Sequence, residues 1–279
     1  MIVFPNCKIN LGLHILHKRA DGFHDIETVF YPLNFTDILE VIQNPQSSSH
    51  VEFTGTGIPV DGKAEDNLCI KAYLLLKKDF PLLPAVKIHL HKTIPMGAGL
   101  GGGSADAAFM LKLLNEKFNL NLSTIQLLNY SLQLGSDCPF FLSNKSCYAT
   151  GRGEIMEDIP LDLSFYKIML INPGIHINTG WAFSQLSDGL KPSDKFTKSI
   201  KEIIQQPIET WQTELSNDFE SPVFSVHPEI KNIKEELYLQ GAVYASMSGS
   251  GSTVFGIFEK VIPASIFSGK NYFIKTLAC

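Results

Sequence analysis

The segment PMGAGLGGGSADAA, residues 95–108, constrains the fold of this chain more than any other stretch. Five of the seven residues from Gly97 to Gly103 are glycine, and helix-forming residues follow directly. Ordering glycine costs extra conformational entropy, so such a cluster indicates backbone with positive φ or a very close approach to another group. Apolar residues alternate in the preceding segment, 86–90, as they do in a strand. The pattern therefore predicts a strand, a glycine-rich turn and a helix, in that order.

The start of that helix is predicted to bind an anion. Ser104 stands at the expected helix cap, where unpaired backbone N–H groups and the positive end of the helix dipole face the glycine turn. Phosphate is the group that such a turn typically binds, and the Ser104 hydroxyl can either cap the helix or contact a phosphate oxygen. A purely structural turn is the alternative, although ordinary turns need far fewer glycines.

Three well-known glycine motifs fit this segment poorly. Residues 97–102 satisfy G-x-G-x-x-G, but a dinucleotide-binding fold requires an acidic residue about 20 positions later, where this chain has a second helical pattern without one. The P-loop requires a lysine after the last glycine, where this chain has Ser104. The glycine loop of protein kinases joins two strands, whereas a helix is expected here. The turn therefore represents a different kind of phosphate site.

Charge and cysteine content argue against several classes of protein. The net charge of −5 disfavours a general binder of nucleic acid or of anionic membranes. No apolar run approaches the roughly 18 residues that span a bilayer, and the N-terminus lacks the pattern of a signal peptide. The odd number of cysteines and the lack of a C-x-x-C pair favour reduced thiols over disulfides or a zinc site. The cysteines are Cys7, Cys69, Cys138, Cys147 and Cys279. We therefore expect a cytoplasmic protein that binds neither nucleic acid nor membrane.

Periodicity along the rest of the chain predicts a mixture of strands and helices. Residues 7–15 alternate between apolar and polar like a half-buried strand, with Lys8 and Asn10 on the polar face. Further strands are expected at residues 166–171 and on both sides of the SGSGST turn, residues 248–253. Helices are predicted after an N-cap at Asp66, from a capping box at Ser123 and Gln126 to Gly135, and over residues 228–240. A boundary is expected near residues 155–165.

Three features outside the glycine turn carry groups that suit phosphate chemistry. Lys8 lies on the polar face of the first strand, and Asp137 lies on a short turn between Gly135 and Pro139. The SGSGST turn is built from small residues that permit close approach to a ligand. Taken alone, Lys8 is equally typical of a solvated lysine, Asp137 of an ordinary turn, and the SGSGST segment of a hairpin. Their occurrence together with the glycine turn favours a phosphate site.

The quoted segments resemble a known family, the GHMP kinases, which include galactokinase, homoserine kinase and mevalonate kinase. PMGAGLGGGSADAA resembles their phosphate-binding motif, and SGSGSTVF resembles their third motif. PNCKINLGLHI, RADGFHDIETVF and LGSDCPFF are similar to members that phosphorylate a cytidine-diphosphate-linked methylerythritol. The similarity runs from residue 5 to about residue 255. It implies an α+β fold with two domains, 1–158 and 159–279, and an active site in the cleft between them.

The resemblance implies transfer of the ATP γ-phosphoryl group to the 2-hydroxyl of that substrate, a step of the non-mevalonate isoprenoid pathway. Asp137 would be the catalytic base and Lys8 its catalytic partner. Lys92 would lie near the nucleotide and Asn67 near the adenine. The residues expected to bind the ATP phosphates are Pro95, Met96, Gly97, Ala98, Gly99, Leu100, Gly101, Gly102, Gly103, Ser104 and Ala105. Asp106 stands where some relatives have asparagine, and it adds a negative charge near the phosphates.

The same resemblance implies a substrate pocket formed by Asn10, Phe23, His24 and Phe183. His24 would bind the edge of the cytosine, while Phe23 would stack on its face. Phe183 would form the second face, with Trp181 or a purely structural role as alternatives. Mg²⁺ is the implied cofactor, with ligands that the sequence leaves open, and the protein would be a monomer or homodimer. Another GHMP kinase acting on homoserine, mevalonate or a sugar, or a non-catalytic ligand sensor, stays open as an alternative.

Overall fold

The computed structural model describes residues 1–46, 50–60, 62–186, 198–260, 267 and 269–278. Within these ranges the chain forms two compact units, each assembled from separate segments. The first unit comprises Met1–Cys7, Phe35–Met96 and Gly101–Asn144. The second comprises Lys8–Asn34, Gly97–Leu100 and the described part of Lys145–Cys279. Both units contain helices and strands, in agreement with the predicted α+β class.

The predicted domain boundary at residues 158/159 differs from the division into compact units. Asp158 and Ile159 both belong to the second unit, and the chain passes from one unit to the other several times. Two long strands, described below, contribute residues to both units, so a single cut in the sequence does not separate them. The division into domains 1–158 and 159–279 stays a prediction.

The first unit contains a four-stranded sheet with the strand order β1-β4-β6-β5. Its strands are β1 (Ile2–Val3), β4 (Ile38–Gln43), β5 (Val51–Gly57) and β6 (Val86–Lys92), of which β5 and β6 are parallel. Its helices are α1 (Leu68–Asp79), α2 (Gly102–Lys117), α3 (Thr124–Leu134) and α4 (Phe140–Ser143), with a 3₁₀ turn at Ala64–Asp66. Alternate residues of β6, Val86, Ile88 and Leu90, are buried in a core with apolar residues of α1 and α2.

The second unit contains most of two further four-stranded sheets. One has the order β2-β3-β7-β8, formed by β2 (Asn6–Lys18), β3 (His24–Thr36), β7 (Cys147–Thr150) and β8 (Ile155–Asp158). The other is antiparallel with the order β10-β11-β9-β12, formed by β9 (Lys167–Asn172), β10 (Tyr244–Met247), β11 (Val254–Phe258) and β12 (Phe273–Ala278). The helices are α5 (Thr179–Ser184), α6 (Ile200–Ile204), α7 (Trp211–Glu214), α8 (Glu220–Val226) and α9 (Pro228–Leu239), with a 3₁₀ turn at Ile208–Thr210. Apolar residues of α8 and α9 pack with the second sheet in one core.

Several predicted elements are confirmed by the structure. The alternating segment after residue 6 forms β2, the segment before the glycines forms β6, and residues 228–239 form α9. The capping box of α3 is present, because the Ser123 hydroxyl accepts from the Gln126 backbone N–H and the Gln126 side chain accepts from Ser123. Helix α3 ends at Gly135, as expected.

The start of two helices differs from the prediction. Helix α1 is capped by Asn67, whose Oδ1 accepts a hydrogen bond from the Cys69 backbone N–H at 2.9 Å. Asp66 is instead the last residue of the 3₁₀ turn, whereas Asn67 has the extended backbone that an N-cap requires. Helix α2 is capped by Gly101 at a φ of 70°, and Ser104 is its third residue. The predicted caps at Asp66 and Ser104 are therefore wrong.

The polar face of β2 is also buried, contrary to the expectation of a half-buried strand. Lys8 and Asn10 are 3% and 2% exposed, and the apolar face beside them is equally covered. A charged or amide group in such a place needs hydrogen-bond partners inside the protein. The partners of Lys8 and Asn10 are described with the site below.

The described cysteines, Cys7, Cys69, Cys138 and Cys147, are all free thiols, as predicted for them. Cys279, the fifth cysteine of the sequence, lies outside the described residues. Among the helices of the described ranges, none combines the length and the apolar character needed to cross a membrane.

Candidate active site

The first half of the glycine segment, Gly97–Leu100, contains two glycines whose backbone conformation other residues rarely adopt. Gly97 and Gly99 have φ values of 59° and 78°, in the left-handed region that favours glycine. A Cβ added at Gly99 would lie 1.9 Å from the carbonyl oxygen of Ser248. The glycine at position 99 therefore serves the close packing of two backbones.

The SGSGST turn, residues 248–253, is the partner in that packing. The Ser248 hydroxyl donates to the Gly99 carbonyl oxygen at 2.8 Å, and the Thr253 N–H donates to the Ala98 carbonyl oxygen at 3.2 Å. Asn217 stabilises the SGSGST turn, because its Nδ2 donates to the carbonyl oxygens of Met247 and Gly249. The two small-residue turns singled out in the sequence thus lie together, while no sequence signal pointed to Asn217.

The second half of the glycine segment begins helix α2. Gly101 takes the left-handed cap conformation, and the Ala105 N–H donates the first helical hydrogen bond to the Gly101 carbonyl oxygen at 2.9 Å. A Cβ added at Gly102 would lie 2.9 Å from the side chain of Ile94, so this position also needs glycine. The N–H groups of the first helical turn lack intrahelical acceptors by geometry, and the helix dipole is positive here. The sixteen-residue helix α2 therefore presents an end that suits a phosphate.

The turn that carries Asp137 packs against the first turn of α2. The Cys138 N–H donates to the Gly135 carbonyl oxygen at 3.1 Å, which closes the turn around Asp137. A Cβ added at Gly135 would lie 3.8 Å from the Ser104 hydroxyl and 3.4 Å from the Cys138 sulfur. Burial raises the pKa of the Cys138 thiol to about 12, so this neighbour of Asp137 is an inert thiol. Within the first unit, the structure thus brings the turn that carries Asp137 next to Ser104.

Lys8, in the second unit, is held by a chain of polar groups on β2 and β3. Its ammonium group donates to Oδ1 of Asn10 and lies 5.1 Å from the centre of the Phe30 ring. Nδ2 of Asn10 donates to the Thr28 hydroxyl at 3.0 Å, and that hydroxyl donates to the Gly12 carbonyl oxygen. Lys8 is also tied to the glycine segment, since its N–H donates to the Leu100 carbonyl oxygen at 3.0 Å. Asn10 therefore orients Lys8.

Lys92 is enclosed by two acidic side chains. Its ammonium group is fully buried in the first unit and donates to carboxylate oxygens of Asp37 and Asp106, the latter at 2.8 Å. Burial lowers the pKa of Lys92, but the carboxylates of Asp106 and Asp37 outweigh burial and raise it. A side chain enclosed in this way is not available to a nucleotide on the surface. The predicted proximity of Lys92 to the nucleotide stays a prediction.

Asn67 is partly exposed at the start of α1, where its Oδ1 is already used as the helix cap. Its Nδ2 atom is not involved in that cap and can still face a ligand. The predicted proximity of Asn67 to adenine stays a prediction.

The aromatic residues expected around the cytosine belong to the second unit. His24 stacks on Phe183 with ring centres 4.6 Å apart and an interplanar angle of 14°. Phe183 in turn packs edge-on against Phe219 at 4.9 Å, which fixes its ring. The Phe23 ring is half exposed, and the Arg152 guanidinium lies 4.1 Å from its centre. The structure therefore brings His24 and Phe183 into contact, while Phe23 pairs with a residue that sequence reasoning missed.

Trp181, the alternative to Phe183, packs against the core of the second unit and lies edge-on to His227 at 6.4 Å. It is Phe183 and not Trp181 that stacks on His24. His176 is a further residue that the sequence did not indicate. A Cβ added at Gly97 would lie 3.2 Å from its Nδ1 atom, so this exposed imidazole borders the glycine segment.

Two protein-family models match separate segments of the chain. The model of the GHMP kinases N terminal domain matches residues 67–145, and the model of the GHMP kinases C terminal domain matches residues 199–267. Together they cover more than half of the chain, and the first includes the glycine segment and Asp137. The chain belongs to the GHMP kinase family. It is therefore an ATP-dependent phosphotransferase.

Curated relatives place the chain more narrowly within these kinases. It is 53% identical over 259 residues to a protein of Bacteroides thetaiotaomicron named 4-diphosphocytidyl-2-C-methyl-D-erythritol kinase, with 93% of this chain and 92% of that protein covered. A protein of the same name from Azobacteroides pseudotrichonymphae is 51% identical over 260 residues, covering 93% and 94%. At this level of identity, the chain belongs to the same family of kinases as these two proteins.

Solved structures agree with this assignment. A crystal structure titled 4-(cytidine 5'-diphospho)-2C-methyl-D-erythritol kinase matches all of this chain and all of its own, with a TM-score of 0.82 and 27% identity. The mevalonate kinase of Methanococcus jannaschii matches all of this chain and 98% of its own with a TM-score of 0.73. At 12% identity, that second likeness speaks for the shared fold alone.

Proposed function

We propose that this protein transfers the γ-phosphoryl group of ATP to the 2-hydroxyl of 4-diphosphocytidyl-2-C-methyl-D-erythritol, a step of the non-mevalonate isoprenoid pathway. The observation that carries the proposal is the packing of the Asp137 turn against the first turn of α2. A carboxylate beside a phosphate-binding helix start is the arrangement that transfer to a hydroxyl needs. The names of the close relatives support the choice of substrate.

In this proposal the glycine segment, residues 95–105, binds the ATP phosphates. Phosphoryl transfer depends mainly on positioning and on compensation of charge. Backbone N–H groups at the start of α2 supply both, because the glycines there keep side chains away from them. Asn67 would border the adenine, and Lys92 would support the segment from beneath.

Asp137 is proposed to accept the proton of the substrate hydroxyl as the phosphoryl group is transferred. General-base assistance of this kind contributes roughly 10²- to 10⁴-fold to the rate. Lys8 is proposed to orient the hydroxyl and to compensate the phosphoryl charge. Its ammonium group is suited to this task because Asn10 and Phe30 hold it in one direction.

Mg²⁺ fits this proposal as an ion held by the phosphates and water. Within the described ranges, the chain has no group of three or more His, Cys, Asp or Glu side chains that could hold a metal by itself. Magnesium typically keeps several water ligands and binds nucleotides through their phosphate oxygens. When bound, it would reduce the negative charge of the triphosphate.

The cytidine portion of the substrate is proposed to bind at His24, Phe23 and Phe183. His24 and Phe183 already form a flat stacked pair, and the exposed Phe23 ring offers a second apolar face. Both ring systems can stack on a pyrimidine. We infer further that the kinase acts on these small molecules in the cytoplasm, as a monomer or a homodimer.

Release of ADP with a panel of alcohols tests the proposed function. The panel contains the cytidine-diphosphate-linked methylerythritol, homoserine, mevalonate and a sugar. We expect turnover only with the first, and turnover with another member alone would reassign the substrate. Binding of ATP without turnover of any member would instead indicate a ligand sensor.

The variant Asp137→Asn tests the proposed base. We expect kcat to fall by at least about a hundredfold while the dissociation constants of ATP and substrate stay near those of the wild type. Asp158→Asn, at an exposed carboxylate, serves as the matched control and is expected to retain full turnover. Near-normal turnover of Asp137→Asn would remove Asp137 from this role.

A further inference from the structure

Three charged side chains are buried together beneath the start of α2, all in the first unit. Lys92 ends β6, Asp37 lies just before β4, and Asp106 is the fifth residue of α2. The Lys92 ammonium donates to Oδ2 of Asp37 and, at 2.8 Å, to Oδ2 of Asp106. The three side chains are 0%, 0% and 4% exposed in the order Lys92, Asp37 and Asp106. We call this group the Asp-Lys-Asp cluster.

The cluster holds the chain on both sides of the glycine segment. On the entry side, Oδ1 of Asp37 accepts from the backbone N–H groups of Thr93 at 2.6 Å and Ile94 at 3.0 Å. On the exit side, Asp106 belongs to α2 itself. A Cβ added at Gly102 would lie 3.3 Å from the Lys92 nitrogen, so the ammonium group lies directly under the first helical turn. The cluster thus joins the end of β6 to the beginning of α2.

We propose that the Asp-Lys-Asp cluster positions the glycine segment for the triphosphate, and that Lys92 acts as a positioning residue without touching the nucleotide. This inference rests on the proposed function, since it takes the ATP phosphates as the ligand of that segment. Strong, buried hydrogen bonds to the backbone of Thr93 and Ile94 fix where the segment begins, and the bond to Asp106 fixes where it ends.

Asp106 adds a dependence on pH to this arrangement. Its Oδ1 has no hydrogen-bond partner among the described residues, which disfavours an ionised carboxylate. Burial raises the pKa of Asp106 to about 7, with Lys92 lowering it and Asp37 raising it. Among the described residues, Cys69 of α1 is a further titratable neighbour, and burial raises the pKa of its thiol so that it stays neutral.

Ionisation of Asp106 changes the charge under the phosphate site. With Asp106 protonated, the charges of Lys92 and Asp37 cancel, whereas ionised Asp106 leaves the cluster with one net negative charge. A negative charge in a buried place acts at short range with little screening. The affinity for a triphosphate is therefore expected to fall as the pH rises through about 7.

Binding of the non-hydrolysable ATP analogue AMP-PNP, with Mg²⁺, tests this expectation. Calorimetry at pH 6 and pH 8.5 compares the wild type with Asp106→Asn, an isosteric neutral replacement, and with the exposed control Asp158→Asn. The ratio of dissociation constants between wild type and Asp106→Asn cancels titration of the nucleotide itself. We expect a ratio near one at pH 6 that rises several-fold at pH 8.5, while the control ratio stays at one. An Asp106→Asn ratio that does not change with pH would overturn the role of Asp106.

Acylation of lysines tests the position of Lys92 without any variant. The folded protein is treated with an N-hydroxysuccinimide ester of acetic acid, with and without Mg²⁺ and AMP-PNP, and modified residues are identified by mass spectrometry. We expect Lys92 to stay unmodified in both samples, while the exposed Lys145 and Lys231 react. Modification of Lys92 in the free protein with protection by the nucleotide would show direct contact and overturn the proposal.

These measurements separate the cluster from the proposed function. Neither measurement reads out phosphoryl transfer, so a wild-type protein that binds AMP-PNP but transfers no phosphoryl group to the cytidine-diphosphate substrate would contradict only the proposed function. A protein that turns over this substrate but shows a pH-independent ratio, or a reactive Lys92, would contradict only the cluster. Failure of the wild type to bind the nucleotide would overturn both.

Discussion

Lys8 and Lys92 are both buried lysines in β strands, and sequence reasoning assigned both to the active site. Lys8 is 3% exposed and Lys92 is 1% exposed, so burial alone does not distinguish them. Lys92 is bound by the carboxylates of Asp37 and Asp106, whereas the Lys8 ammonium binds the amide oxygen of Asn10 and lies over the Phe30 ring. The two ammonium groups therefore differ in these partners.

This difference teaches which lysine can serve a reaction. The charge of Lys92 is compensated by the protein itself, so this lysine contributes to the fold and to the position of the glycine segment. An amide oxygen and an aromatic face orient the Lys8 ammonium group, which suits it to a developing phosphoryl charge. Substitutions at the two positions are expected to fail in different ways.

Replacement of Lys92 should have the largest effect, and it should fall on stability. In Lys92→Met, two buried carboxylates lose their counter-ion, and breaking a buried ion pair from one side costs about 3–5 kcal/mol. We expect a loss of this size in the free energy of unfolding measured with urea. Lys145→Met removes an exposed lysine and should leave stability unchanged. A loss below about 1 kcal/mol in Lys92→Met would place this lysine in the same class as exposed ones.

Replacement of Lys8 should instead affect the rate. In Lys8→Ala we expect kcat to fall about a hundredfold or more, with a much smaller change in the dissociation constants of ATP and substrate. Steady-state kinetics combined with calorimetry on the same preparation separates the two quantities. A loss confined to affinity would mean that Lys8 binds a ligand without contributing to catalysis. Lys8 and Lys92 would then differ in ligand contact and not in a catalytic role.

The pH dependence of stability tests the Asp-Lys-Asp cluster, and with it the contrast between Lys92 and Lys8. The pKa of Asp106 is raised from 3.8 to about 7, so between these values the folded protein holds a proton that the unfolded chain has released. This contribution to stability is complete at low pH and is lost as the pH rises toward 7. Urea unfolding of the wild type should show this loss relative to Asp106→Asn, which has no proton to lose. Parallel pH profiles of the two proteins would contradict it.

Replacement of His24 should have the smallest effect of the set. His24→Ala removes one ring from the stack with Phe183, and an aromatic pair of this kind contributes about 0.5–1.5 kcal/mol. We expect the KM of the cytidine-diphosphate substrate to rise up to about tenfold, with unchanged affinity for ATP. Weaker ATP binding with an unchanged substrate KM would mean that the two pockets are assigned the wrong way round.

Local patterns predicted the parts of the site that depend on neighbours in the chain. The glycine turn, the capping box at Ser123 and the strand of residues 86–92 follow from periodicity and from turn chemistry, and the structure confirms them. The caps at Asp66 and Ser104 were wrong by one to three positions. Asp66 competes with Asn67 for the N-cap of α1, and Ser104 competes with Gly101 for the N-cap of α2. In each case the backbone conformation that selects the cap depends on packing.

The environment of Lys92 could not be read from the sequence in the same way. Asp37 lies 55 residues before Lys92, and Asp106 lies 14 residues after it. Neither spacing is a pattern that a helix or a strand would produce, so no local rule joins the three residues. The same holds for Asn217 and Ser248, whose side chains reach backbone groups far away in the chain.

The sequence by itself determined that the chain carries a glycine-rich turn between a strand and a helix, because glycine content, helix periodicity and residue order are local properties. The resemblance of that segment to a known motif pointed to the GHMP kinases. Only the tertiary structure decided what surrounds each buried charge. Charge compensation depends on distances through space, and strands that lie far apart in the chain supply the partners. For that reason two lysines that look alike in the sequence have different partners in the fold.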